Sequence, residues 1–161
     1  MTKNNKGFTL VELLAVIVIL AVIILIAVNA VLPQMRKARR NSFVTEAINF
    51  AKAAETAYVS DQISGQSHTC YTIKYLQSKY VTKADESYDG YVVLTIDGDN
   101  ITKAITITDG KSFYVDSVNP SSTDNFGKVN NVEVVKDYTA EAWATAKGTV
   151  PTGCQDVESG N

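Results

Sequence analysis

The sequence predicts an α+β protein with a long N-terminal helix and a small antiparallel sheet. The helix should be apolar all round in its first half and amphipathic in its second. Three observations carry that expectation. Leu13–Val28 is sixteen apolar residues without a break. Further on, Phe43, Ala47, Phe50, Ala51, Ala54, Ala57 and Tyr58 recur at three- and four-residue spacing, the repeat of a helix with one buried face. Beyond residue 90, three short runs rich in β-branched and aromatic residues are separated by Gly-Asp and Asp-Gly pairs, the pattern of a hairpin meander.

The first element is long enough to cross a bilayer. Phe8 to Leu32 is 25 residues, interrupted only by Thr9, Glu12 and Asn29, where roughly 20 apolar residues suffice. A cleaved secretory signal fits less well, because its apolar region has about 7–15 residues and "NAVLPQMRKARR" offers no small-residue exit. Glu12 is the anomaly. A carboxylate at the centre of a spanning helix costs roughly 2.5–3.5 kcal/mol. Near the end the cost is lower, and two readings stand: Glu12 snorkels to the headgroups, or it has a specific role. Asn29 and Pro33 lie at the join with the amphipathic half. Proline lacks the N–H that a helix interior needs, so these are the candidate positions for a kink or loosened turn. The turn residues Asp61–Gly65 and Ser67 end the pattern. A helix from about Phe8 to about Gln62 is roughly 80 Å long at 1.5 Å per residue.

After it, "CYTIKYLQSKYV" places Ile73, Leu76 and Tyr80 at helical spacing, predicting a short second helix. "GYVVLTID", "NITKAITIT" and "KSFYVDS" predict three antiparallel strands at about 91–97, 101–108 and 112–117. "SVNPSSTDNFGKVNN" reads as a loop, "VEVV" as a further short strand, and "TAEAWATAKG" as a helical turn closed by Gly148. The organisation expected is 1–7 as a leader, 8–32 as the apolar helix, 33–62 as its amphipathic continuation and 63–161 as a globular head.

Charge is distributed unevenly. The whole chain carries −2, but residues 63–161 hold eight Lys against thirteen Asp and Glu, a net of −5, and no Arg. That argues against nucleic acid as a partner, which needs a cationic surface. All three arginines fall in "RKARR", Arg36–Arg40. The cluster fits a solvated helix face or lipid-headgroup contacts, with salt bridges to acidic heads of neighbouring subunits as the sharper alternative. If the head lies outside the cell, these charges oppose the positive-inside tendency, with only Lys3 and Lys6 as counterweight.

Site chemistry is sparse. His68 and Cys70 in "SHTC" lack the orienting shell that a nucleophilic dyad needs, and zinc needs more ligands than these. "DGDN", Asp97–Asn100, resembles the start of a calcium loop but has no Gly-then-Glu continuation, so it reads as a hairpin turn. Asn100–Thr102 matches a glycosylation acceptor, a weak pattern inside a strand. No catalytic residue, metal site or cofactor is expected, and the chain does not read as an enzyme.

"KGFTLVELLAVIVILAVIILIA", Lys6 through Ala27, resembles the N-terminus of type IV pilins and pseudopilins. That family has a short basic leader ending in Gly, then Phe, Thr-Leu-aliphatic-Glu and an apolar helix. The resemblance implies a type IV pilin-like fold, with the antiparallel sheet head packed against the amphipathic half of the long helix, and cleavage by a membrane prepilin peptidase between Gly7 and Phe8, with N-methylation of Phe8 by the same enzyme. Glu12 then lies four residues after the new N-terminus, one helical turn away. In the family this glutamate pairs with the terminal amine of a neighbouring subunit and registers assembly, since an unpaired charge in a low dielectric is costly. The implied partners are the peptidase, the pilus assembly machinery, membrane lipid before assembly, and identical subunits in a helical filament. Extraction from lipid would exchange lipid contacts for packing among apolar helices. Similar pilins melt part of this helix in the filament, with Asn29 and Pro33 marking the zone here.

An extracellular head would permit a disulfide between Cys70 and Cys154, which are 84 positions apart. Closing so long a loop stabilises by about 4 kcal/mol in the chain-entropy account. Pilins usually carry both cysteines of their staple near the C-terminus, and Cys70 is early for that pattern. Three functions follow. The leading one is the major pilin, a fibre serving adhesion, twitching motility or DNA uptake through head loops such as 118–131. The second is a pseudopilin or minor pilin. The third is an uncleaved, membrane-anchored extracytoplasmic binding protein.

Overall fold

The computed structural model describes residues 9–81, 84–118 and 134–157. The chain divides into two compact units, residues 1–39 and 40–161. The elements are α1 (Leu10–Ile63), β1 (Cys70–Thr72), α2 (Ile73–Lys79), β2 (Asp89–Asp97), β3 (Asn100–Thr108), β4 (Phe113–Val118), β5 (Lys136–Asp137) and α3 (Ala140–Lys147). This is an α+β architecture with a long apolar N-terminal helix and a small antiparallel sheet.

In the first unit α1 is exposed on every side: Leu10 through Leu32 carry no buried residue. Pro33 lies inside α1, and the helix continues through it. Asn29 stays helical as well, its amide Nδ2 donating back to the Leu25 carbonyl at 3.3 Å.

In the second unit the character of α1 changes. The expected stripe is the buried face: Phe43, Ala47, Phe50, Ala51, Ala54 and Ala57 are buried, joined by Val44 and Ala53, with Tyr58 packed partly against them. Alanine at five of these positions lets other elements approach the helix axis closely. The helix stops through a Schellman motif. Gly65, at φ 76°, donates to the Gln62 carbonyl and Gln66 donates to the Asp61 carbonyl, which satisfies two carbonyls left open at the helix end.

The sheet runs in the order β1-β2-β3-β4-β5 with antiparallel neighbours throughout. Val92 and Leu94 of β2, Ile105 and Ile107 of β3 and Val115 of β4 join the α1 stripe in one core. Burying each such side chain is worth about 1.5–3 kcal/mol. β2 and β3 meet through a two-residue turn, Gly98-Asp99, closed by the Asp97–Asn100 pair. Gly98 supplies the positive φ of 58° that a turn with glycine first requires. Between β3 and β4 the register slips by one residue, the extra one on β4. Ser117 there takes φ 49°, and its N–H donates to the Thr106 hydroxyl at 3.0 Å. Gly90 is needed for contact, since a Cβ would sit 2.0 Å from the Thr106 carbonyl oxygen.

The short helix expected from Ile73, Leu76 and Tyr80 is α2, which begins at Ile73 with Thr72 as its cap, accepting from the Tyr75 N–H, while Cys70–Thr72 before it pairs with β2 as a strand the sequence did not mark. One expectation needs correction. The strand expected in "VEVV" is displaced. Val134 and Val135 form a turn, Val135 is buried in the core, and Lys136–Asp137 pairs with β4 instead. A two-residue strand is placed by the edge it meets rather than by its own propensity. Val132 and Glu133 lie outside the described residues, as does most of the loop 118–131.

Cys70 and Cys154 are bonded, with Cα atoms 4.3 Å apart. The C-terminal segment therefore runs along the free edge of β1. Gln155 donates to the Cys70 carbonyl at 2.8 Å and accepts from the Thr72 N–H at 3.0 Å, and Asp156 accepts from the Thr72 hydroxyl at 2.7 Å. An edge that would otherwise present open backbone groups is covered.

Candidate functional site

The residues with an unexplained sequence role lie at the start of α1. Gly7 and Phe8 fall outside the described residues. From Thr9 onward the geometry is a capping box. Glu12 Oε2 accepts from the Thr9 N–H at 3.0 Å and from the Thr9 hydroxyl at 2.9 Å, and the Thr9 hydroxyl accepts from the Glu12 N–H at 3.2 Å. The signal was legible as Thr9-x-x-Glu12, and sequence reasoning focused on charge overlooked it. Glu12 therefore has a local task, supplying acceptors to N–H and O–H groups at a helix start.

Past that cap the segment is an apolar sleeve. Its most apolar window has a mean hydropathy of 3.4, and α1 is long and apolar enough to cross a membrane by length and composition. Arg36, Lys37 and Arg39 are exposed beyond it. In the second unit, Arg40 places its guanidinium over the Phe113 ring, 5.6 Å from the centroid. Chemically the sleeve can partition into lipid or pack against other apolar helices, and it offers one carboxylate, one turn in from position 8, to a cation.

Residues 2–28 match a family described as the prokaryotic N-terminal methylation motif. It is the type IV prepilin signature. No curated protein matches the chain, and no solved structure does. The signature covers Gly7, Phe8 and Glu12 and stops before Asn29 and Pro33. It implies processing by a prepilin peptidase and pilus assembly, and it supports a place for the chain among type IV pilins and pseudopilins. With the apolar helix, it points to a membrane-anchored prepilin and a structural subunit rather than an enzyme.

The other residues singled out from sequence are dispersed. Asp97 and Asn100 are a strand pair at the β2–β3 turn, and among the described residues no cluster of three or more metal-ligating side chains occurs. Cys70 is in the disulfide. His68 has a partner that spacing did not suggest: its Nδ1 lies 2.9 Å from Asp61 Oδ2, which also accepts from the Tyr71 hydroxyl at 2.8 Å. Burial and the adjacent Asp61 carboxylate hold the Tyr71 phenol well above its ordinary value. This cluster ties the end of α1 to β1. An aspartate continuing the spacing of an apolar helix face was its only sequence trace.

Proposed function

We propose that the chain is the major pilin of a type IV pilus. It is held in the membrane as a prepilin, cut after Gly7, N-methylated on Phe8 and assembled into an extracellular filament of identical subunits. The observation that carries this reading is a fully exposed apolar helix bearing a single carboxylate one turn from the cleavage point, inside the prepilin signature. An apolar surface of that extent needs lipid or partner helices. In lipid, Glu12 is held by Thr9. In the filament it would exchange those hydrogen bonds for the methylated amine of a neighbouring Phe8, a charge-assisted contact roughly twice as strong as a neutral one. Cleavage leaves the cap intact, because Thr9 and Glu12 both lie downstream of the cut. Asn29 and Pro33 mark the zone proposed to loosen on assembly, where Pro33 leaves the Asn29 carbonyl without its helical donor.

The capping box favours a second reading. An uncut membrane-anchored protein would also use Glu12, purely to start its helix. Mass spectrometry of the chain in material sheared from cells separates the two. An abundant N-methylated Phe8 terminus in the sheared fraction supports the major pilin. The same terminus at trace level, with most of the chain left in the membrane, points to a minor pilin or pseudopilin. A chain beginning at Met1 and confined to the membrane sinks the filament reading.

A further inference from the structure

The apolar segment of α1 ends at Leu32, and the helix runs on through Pro33 into a basic turn. Leu10–Leu32 rises about 33 Å at 1.5 Å per residue, enough to cross a hydrocarbon core of roughly 30 Å. Lys37 and Arg39 then stand roughly 8–11 Å past Leu32 along the helix. Side chains on a helix lean towards its N-terminus, here back towards the bilayer, so both cations reach the headgroup layer.

Neither cation is neutralised by its own chain. Both are exposed. α1 has no Asp or Glu between Glu12 and Glu46, so the usual partners three and four residues away are absent. Among the described residues, neither side chain forms an ion pair. Two residues apart, they leave α1 on opposite flanks, about 200° from one another at 100° per residue. A protein docked on one face would meet one of them, whereas a leaflet surrounds the helix and meets both.

The charge of that leaflet follows. A zwitterionic headgroup carries its own ammonium beside the phosphate, but an anionic surface attracts each nearby Lys or Arg. Arg39 can take a phosphate through two parallel N–H donors, and Lys37 as a point charge. We propose that Lys37 and Arg39 form a collar that binds anionic phospholipid headgroups in the leaflet where α1 leaves the membrane. The inference rests on the membrane-anchored reading and is independent of whether the chain is a major or a minor pilin.

The test is electron paramagnetic resonance on the full chain in phosphatidylcholine vesicles with trace spin-labelled phosphatidylglycerol or phosphatidylcholine. Lipid held at the protein gives a motionally restricted signal. That signal should favour phosphatidylglycerol at least about three-fold at low salt and approach parity at about 1 M salt. Lys37→Gln with Arg39→Gln should at least halve the ratio while the second unit melts as the wild type does. Lys37→Arg with Arg39→Lys should keep it. Restricted lipid with no preference for phosphatidylglycerol overturns the collar alone. So does an unchanged ratio in the charge-removing variant, which would assign the preference to Lys3 and Lys6 at the other end of the segment. No restricted lipid of either kind means that α1 is outside the bilayer, overturning the membrane reading and the collar together.

Discussion

The two units of this chain treat the same kind of residue in opposite ways. Between Leu10 and Leu32 every leucine, isoleucine and valine is exposed, whereas in residues 40–161 Phe43, Phe50, Val92, Ile105 and Ile107 are buried in one core. A single helix carries both behaviours. The second unit satisfies its apolar surface internally, as an independent fold does. The first satisfies nothing internally and depends on its surroundings, lipid or other copies. Stability therefore rests on the core of the second unit, and the assembly proposed above would rest on the apolar surface of the first.

The sharpest way to break that comparison is to truncate one large side chain in each. Phe50→Ala, at a fully buried position, should lower stability by about 3–5 kcal/mol in denaturant melts. Ile17→Ala, 56% exposed, should change the same melt by no more than about 0.5 kcal/mol. A comparable loss from both would mean that the first unit contributes to the fold of the second.

Next in size is the staple. Cys70→Ser with Cys154→Ser opens a loop of 84 residues and should cost about 2–4 kcal/mol. Loss of amide-exchange protection should be largest in Cys70–Thr72, whose outer edge the C-terminal segment covers.

Acid should act on the second unit through two aspartates, each displaced downward. Lys111 and the backbone N–H of Ser87 hold Asp85 down to about 2. For Asp89, burial works against the charged form, but the Lys147 ammonium at 2.6 Å and the Trp143 N–H outweigh it. A carboxyl whose folded value lies below its unfolded one stabilises fully above the unfolded value and loses that contribution as pH falls through the folded value. Stability should therefore decline below about pH 4 and fall most steeply towards pH 2. Both pairs are partly exposed, so Lys147→Met should cost no more than about 1 kcal/mol at neutral pH. It should also flatten the acid limb, and an unchanged acid limb would remove Asp89 from the account.

The smallest effect expected is at the cap. Thr9→Val removes the hydroxyl shared with Glu12 and should weaken the helix start by about 1 kcal/mol. That change should be visible as faster amide exchange at residues 10–13 and not in the melt of the second unit.

Much of this division was legible in the sequence. The change in α1 from an uninterrupted apolar run to a stripe every three or four residues marks where its surroundings change, and β2–β4 were marked by alternation and glycine turns. What escaped was set by tertiary contact. β1 and β5 are too short to carry a periodic signal and exist because β2 and β4 offer edges. The Asp61–His68–Tyr71 cluster joins residues with no motif spacing, brought together by the end of α1 and the turn into β1. Thr9 with Glu12 is a different case, a local motif hidden behind the more conspicuous question of why a carboxylate precedes an apolar helix.

The most direct test of assembly encoded in the first unit is Glu12→Ala, followed by comparing processing with filament yield in the same cells. The account predicts a chain that is still cut after Gly7 and methylated on Phe8, with a second unit that melts as the wild type does, but that stays in the membrane fraction and is absent from sheared filaments. Wild-type filament yield from Glu12→Ala would contradict it, reducing Glu12 to the helix cap it makes with Thr9.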